Sequence, residues 1–166
     1  YNRTRWYVGI LARVVCIKAS KECLAPVFSL WGRTMHVFLA GASRGVGREI
    51  AKQLVIAKYQ VTALLRSPKC ADDLAAMGIT VVQGDALEAE LMVQLIGQNP
   101  PDAVVSTIGS LPSDSGTRVD FFGNKNLIDA AAKAKVNSFI LISSIGSGSS
   151  APALPPNVME TLGPVL

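Results

Sequence analysis

Gly41, Gly45 and Gly47 stand in a G-x-x-x-G-x-G spacing, with Ala42, Ser43, Arg44 and Val46 between them. Glycines set this close suit one chemistry above others: a phosphate can approach backbone N–H groups more closely than a Cβ would allow, while the chain turns sharply. The flanking residues supply the context. His36, Val37, Phe38, Leu39 and Ala40 form an apolar run with no polar face, as a strand buried on both sides of a parallel sheet requires. Val46, Ile50, Leu54 and Ala57 then recur at helical spacing. A helix that starts here aims its unpaired N–H groups and the positive end of its dipole at the turn, which favours a pyrophosphate. A glycine turn that only joins a strand to a helix is the plain alternative. The strand before and the helix after favour the phosphate reading.

Other chemistry finds little material. The one histidine, His36, lies on the first strand, where a core role is expected, so no histidine-based site can be built. Cys16, Cys23 and Cys70 are odd in number and lack C-x-x-C pairing, which argues against a disulfide framework or a zinc site and for reduced, buried thiols. No metal site is expected, and no catalytic residue can be assigned.

The elements needed to position the loop follow in order. Gln60 to Leu65 make a second strand that ends at Arg66 and Ser67, with Pro68 closing it. A short helix over 71–77 carries Asp72 and Asp73 at its start, where they suit the dipole, and stops at Gly78. Ile79 to Val82 form a third strand running into Gln83, Gly84 and Asp85. Leu91, Met92, Leu95 and Ile96 mark the buried face of a helix that stops before Pro100 and Pro101. Ala103, Val104 and Val105 are the fourth strand. A loop of Gly, Ser, Pro and Asp from Ser106 to Arg118 precedes a long helix near 120–135, with Phe121, Leu127, Ile128, Ala131 and Ala132 as its apolar stripe. Phe139 to Ile142 are a fifth strand ending at Ser143, Ser144 and Ile145. Five alternations of strand and helix predict an α/β fold with a right-handed, doubly wound parallel sheet, Rossmann-like, in strand order 3-2-1-4-5.

Composition bounds the rest. Nearly half of the 166 residues are apolar (49%), so a globular domain is the default and disorder is not. The net charge of +4 is unevenly spread. Residues 1–34 hold six basic side chains and only Glu22 against them, net +5, which leaves −1 for residues 35–166 and no basic nucleic-acid face there. This first segment divides from the rest as a basic leader or unrelated extension. It reads as translated upstream or fused sequence, as a targeting leader, or as an extra structural element. Its apolar run from Trp6 to Ile17 is broken by Arg13 and too short to span a bilayer. Residues 35–166 form the second unit. After Gly146 a Gly/Ser run and several prolines lead to the end of the chain, so a truncated fold is expected, with the fifth strand leaving an open edge.

Taken together, GASRGVG, the LLRSP run, VVQGDAL, VVSTIGS, NLIDAAAKAKV and FILISSIGS resemble the atypical short-chain dehydrogenase/reductases of the NmrA-like, NAD(P)-binding type. The resemblance covers about residues 35–148. It implies that the loop of Gly41, Ser43, Arg44, Gly45, Val46 and Gly47 holds the pyrophosphate, and it gives Arg66 a role at the adenosine end, with Asp85 and Ala86 beside the adenine. Ser106, Thr107, Ile108 and Gly109 would line the path toward the nicotinamide ribose, and Ser143 and Ser144 would sit near the nicotinamide. The plain alternatives are a turn residue for Asp85 and a strand-end cap for the two serines. The glycine spacing is that of classical short-chain enzymes, whereas many atypical relatives have G-x-x-G-x-x-G. The family's Tyr-x-x-x-Lys is absent beyond the fifth strand, which removes any assignable acid/base.

NADP is the expected cofactor and NAD the less favoured one, because the second strand ends in Leu65 and Arg66 where an NAD site would carry a carboxylate. The expected function is the NADP(H)-binding part of an oxidoreductase acting on a small carbonyl, quinone or flavin-like acceptor. The alternative is a non-catalytic NmrA-like module that reports redox state to a protein partner. A sugar-nucleotide epimerase relative is disfavoured by the missing tyrosine. No nucleic acid or membrane span is expected; the setting is cytoplasmic, or an organelle if residues 1–34 are a transit peptide.

Overall fold

The computed structural model describes residues 34–109, 118–143 and 155–156, and a strand at Arg5–Ile10. In chain order its regular elements are β1 (Arg5–Ile10), β2 (His36–Ala40), α1 (Gly45–Ile56), β3 (Gln60–Leu65), α2 (Ala71–Ala76), β4 (Thr80–Gln83), α3 (Ala89–Gln98), β5 (Ala103–Ser106), α4 (Asn124–Lys133) and β6 (Ser138–Ser143). All strand pairs are parallel, and the sheet runs β4-β3-β2-β5-β6-β1. The five strands from β2 onward therefore stand in the expected order 3-2-1-4-5. The chain works outward from β2 to β4, then crosses back to β5, so β2 and β5 flank the switch point.

Alternation along β2 explains the two-faced core. Phe38 and Ala40 face α3 and α4 with Met92, Ile96, Leu127 and Phe139, while Val37 and Leu39 face α1 and α2 with Ala51, Val61 and Leu74. Every residue of β2 is buried, which only a strand covered on both faces requires. His36 has the expected core role at the opposite end of the strand from the glycine loop. It is 7% exposed, its N–H donates to Asp102 Oδ2 (2.8 Å), and its ring Nε2 lies 2.8 Å from Thr62 Oγ1.

Helix ends follow from backbone chemistry. Gly78, with φ of +82°, terminates α2 as expected, and Ile79 N–H donates back to Leu74 O. Lys58 and Lys135 take the same left-handed conformation after α1 and α4 although neither is glycine. Cys70 is a free thiol but half-buried rather than buried; Cys16 and Cys23 lie outside the described residues.

Two expectations of apolar faces are corrected. On α1, Val46 is 43% exposed and Ala57 is exposed; the helix turns Gly47 and Ala51 inward instead, because Val46 belongs to the first turn, which projects past the sheet. Before α4, Val119–Gly123 wind as one π-type turn rather than as α-helix. The register slips there, so Phe121 is 60% exposed, and Ala132 is also exposed while Leu127, Ala130 and Ala131 are buried.

The edge expected to be open beyond the fifth strand is covered. Arg5–Ile10 pairs with β6 over its whole length, from Arg5 against Ser138 to Ile10 against Ser143. Arg5–Ile10 takes the place that a sixth strand holds in the classic 3-2-1-4-5-6 order. Deleting residues 1–34 is expected to strip protection from the β6 amides, leave those of β2 and β5 protected, and promote self-association through the freed edge. Hydrogen exchange and sedimentation of the shortened chain check this, and an unchanged β6 would contradict it.

Candidate functional site

Because all the strands are parallel, their C-terminal ends share one edge of the sheet. Gly41 follows β2, Arg66 follows β3, Gly84 and Asp85 follow β4, and Thr107 follows β5. The two loops at the switch point, after β2 and after β5, are in direct contact. Thr107 N–H donates to Ala40 O (3.0 Å), and its hydroxyl lies 3.2 Å from both Ala40 O and Gly41 O.

The three loop glycines divide into two kinds. A Cβ at Gly47 would fall 2.5 Å from Thr107 Oγ1 and closer still to the Gly41 carbonyl oxygen, and one at Gly41 would collide with the Thr107 hydroxyl. Those two are glycine because loop, helix and β5 meet there. Gly45 differs. Its φ of +55° sets the turn, and a Cβ there would meet nothing within 4 Å. Empty space therefore opens beside the first turn of α1.

That first turn is arranged for an anion. Arg44, the residue before α1, is extended and offers no side-chain cap, and the turn holds no acidic residue. A helix start normally satisfies its orphan N–H groups with a Ser, Thr, Asp or Asn side chain and welcomes an acid. Here both are missing, and Ser43, Arg44, Gly45 and Val46 are all exposed. The donors are left for something else, and the cradle fits a pyrophosphate.

Around it the charged side chains differ in how far they are engaged. Arg48 on α1 is drawn to Asp73 on α2 at 3.1 Å, an exposed pair worth about 0–1 kcal/mol. Arg44 and Arg66 are exposed and make no hydrogen bond or ion pair among the described residues. Farther along, Arg118 leans on Asp120, whose side-chain hydrogen bond holds the guanidinium above its ordinary pKa.

Of the other expected site residues, several are tied into the fold. Asp85 Oδ1 accepts from Leu87 N–H (3.0 Å) in an Asx-type turn. Ala86 is 6% exposed. Ser106 is fully buried, and its hydroxyl donates to Asn124 Oδ1 at 2.6 Å. Ile108 is half-buried against the α4 side of the core, and Gly109 is exposed. Ser143 is half-buried at the end of β6; Ser144 lies outside the described residues. The loop end of β5 thus approaches the site through Thr107 and backbone rather than through Ser106.

Two residues that hold the loops after β4 and β5 were not anticipated. Asn124 accepts from Ser106 and donates to Asp120 O (2.7 Å), which fixes the π-type turn to the end of β5. Asn126 Nδ2 donates to both Ala86 O (2.9 Å) and Leu87 O (3.0 Å). The available signal was N-K-N at a helix start, since asparagine is a poor helix former that earns its place by side-chain hydrogen bonds. Among the described residues no cluster of His, Cys, Asp and Glu could hold a metal, and no helix is long and apolar enough to cross a membrane.

Comparison with known proteins places this arrangement. A family model described as NAD(P)H-binding matches residues 41–166. The photosystem II assembly factor Ycf39 of Cyanidium caldarium is 31% identical over 113 residues, covering 68% of this chain and 36% of its own length. Protein TIC 62, chloroplastic, of Pisum sativum is 29% identical over 133 residues, covering 67% of this chain and 24% of its own. Among solved structures, the anaerobillin reductase ChuY of Escherichia coli O157:H7 superposes with a TM-score of 0.69 at 29% identity, over 78% of this chain and 61% of that one. The chain spans about a third or less of the length of these two curated relatives.

The two kinds of glycine predict two kinds of variant. Gly47→Ala should cost about 3 kcal/mol, the upper range for overpacking, and abolish anion binding with it. Gly45→Ala should cost only about 1 kcal/mol, from the left-handed backbone, yet still weaken binding because its methyl enters the empty space. Denaturant unfolding together with pyrophosphate titration separates them; equal stability for the two variants would contradict the division.

Proposed function

The chain belongs to the NAD(P)H-binding family whose model spans residues 41–166, and from this premise we propose that it is the NADP(H)-binding domain of a short-chain-type oxidoreductase, acting on a small carbonyl, quinone or flavin-like acceptor. The observation that carries the dinucleotide is the uncapped, acid-free start of α1 beside open space at Gly45. When bound, a reduced nicotinamide supplies hydride. The residues of this chain bind and orient: backbone donors at 44–47 take the pyrophosphate, Asp85 and Ala86 take the adenine, and the backbone of Thr107 to Gly109, with Ser143 and Ser144, borders the nicotinamide end.

The preference for NADP rests on Arg66. It is exposed, without a partner among the described residues, at the end of the strand next to β2. NAD sites of this fold place a carboxylate there to accept from the ribose 2′-hydroxyl, and a carboxylate would repel a 2′-phosphate. A guanidinium meets that phosphate with paired donors, and Arg44 in the glycine loop offers a second cation.

A second reading has its own support. The similarity to a protein named as an assembly factor favours a regulatory module that binds the dinucleotide without catalysis. The similarity to TIC 62, named as chloroplastic, likewise favours an organelle over the cytoplasm. Turnover of NADPH with a quinone or flavin acceptor by the full-length protein separates the two readings.

Cofactor choice is measured directly. One charge-assisted hydrogen bond contributes about 1.5–3 kcal/mol, so NADPH should bind roughly tenfold to a hundredfold more tightly than NADH. Arg66→Ala should remove most of that difference and leave NADH affinity unchanged. Equal affinities in the unmutated protein, or a variant that keeps the full preference, would defeat the assignment.

A further inference from the structure

The turn after β4 is held by more bonds than a connection between a strand and a helix needs. Asp85 Oδ1 accepts from Leu87 N–H, Asp85 O accepts from Glu88 N–H (3.0 Å), and Asp85 N–H is 3.4 Å from the Glu88 carboxylate. From the other side, Asn126 of α4 reaches across 40 residues of sequence and donates to both Ala86 O and Leu87 O. Its partners are two successive carbonyls of one turn, so a single amide group fixes both the position of the turn and its rotation. Among the described residues Ala86 N–H and Asp85 Oδ2 make no hydrogen bond, a donor and an acceptor on adjacent residues. That pair complements an edge that itself presents an acceptor next to a donor, as adenine does.

We propose that Asn126 is a positioning residue for the adenosine end of the cofactor: its amide sets the 85–87 turn so that Ala86 N–H and Asp85 Oδ2 face the base together. The inference rests on the dinucleotide reading above. Two features distinguish this from a plain tether. The turn is already closed by its own Asx-type bond and by Glu88 N–H to Asp85 O, so Asn126 adds orientation more than closure. The bonds of Asn124, in the same helical turn, go to Ser106, Ile108 and Asp120 at the end of β5 and the start of α4, so the two asparagines serve different ends of the site.

The test uses the full chain with Asn126→Ala and Asn126→Asp, the second being isosteric but without a donor. Titrations are made with 2′,5′-ADP, which carries only the adenosine end, and with reduced nicotinamide mononucleotide, which lacks it. Both variants should bind 2′,5′-ADP roughly tenfold more weakly, as loss of two neutral hydrogen bonds implies, and bind the mononucleotide as before. Amide exchange at Leu87 and Glu88 should quicken while that at 45–47 stays the same. Full affinity for 2′,5′-ADP in either variant, or equal losses for both ligands, would overturn the positioning role. An unmutated chain that binds neither ligand would instead remove the dinucleotide reading, and the role of Asn126 with it.

Discussion

There is no room for a methyl group where Gly41, Gly47 and Thr107 meet, and most of the site follows from that contact. Loop carbonyls, the first turn of α1 and the end of β5 approach one another at backbone distance, held by the Thr107 hydroxyl against Ala40 O and Gly41 O. Because interiors are packed at crystal density, a contact this close admits one arrangement and not a family of them. It sets the direction in which α1 leaves the sheet, and therefore where its unpaired N–H groups point. Gly45, with space around it, adds the turn but not the packing. A glycine motif is usually described by what it binds; two of these three glycines are explained by what they touch within the protein.

The sheet explains why that contact can be rigid. β2 is buried on both faces and paired on both edges, so the loop springs from a strand that has no freedom to shift. Outward from it burial falls, from four residues of six in β3 to none in β4. β4 and β1 are the edges, β4 with no buried residue and β1 supplied by a remote part of the chain. The loops after β4 and β5 hang from strands of unequal burial, and α4 ties them together through Asn124 and Asn126 in its first turn. A helix that packs on the sheet thereby also registers two loops that share no contact through the strands.

What was legible in the sequence was whatever depended on neighbours in sequence. The strand at 36–40, the turn at 41–47, the stop at Gly78 and the alternation of elements are local patterns, and the strand order followed from handedness rules that admit few alternatives. Errors arose where local periodicity ran past the end of an element. Val46 matches the stripe of α1 but lies in a turn beyond the sheet, and Phe121 matches that of α4 but precedes a π-type turn that changes the register. Illegible altogether were the pairings made at long range. Nothing in Arg5–Ile10 names β6 as its partner more than 130 residues later, and nothing near Asn126 names Ala86. Parallel strands and side-chain brackets leave no short-range trace, because the residues that choose each other are brought together only by the finished fold.

Charge at the site completes the physical picture. The positive excess of the chain lies in residues 1–34, whose strand β1 stands three strands from β2, while residues 35–166 carry a net −1. Attraction must be local, and the local groups are few. Arg48 would add to it, but its guanidinium is committed to Asp73 on the next helix. What remains is Arg44, Arg66 and the dipole of α1, all at one edge of the sheet. At physiological salt the screening length is about 8 Å, so cations at the rim act on a phosphate seated in the loop and hardly on one in solution. On the proposed reading, selection is made after docking, by whether a second phosphate lies within reach of Arg66 or Arg44. On that reading the strand ends discriminate between dinucleotides, while the glycine loop, being backbone, treats them alike.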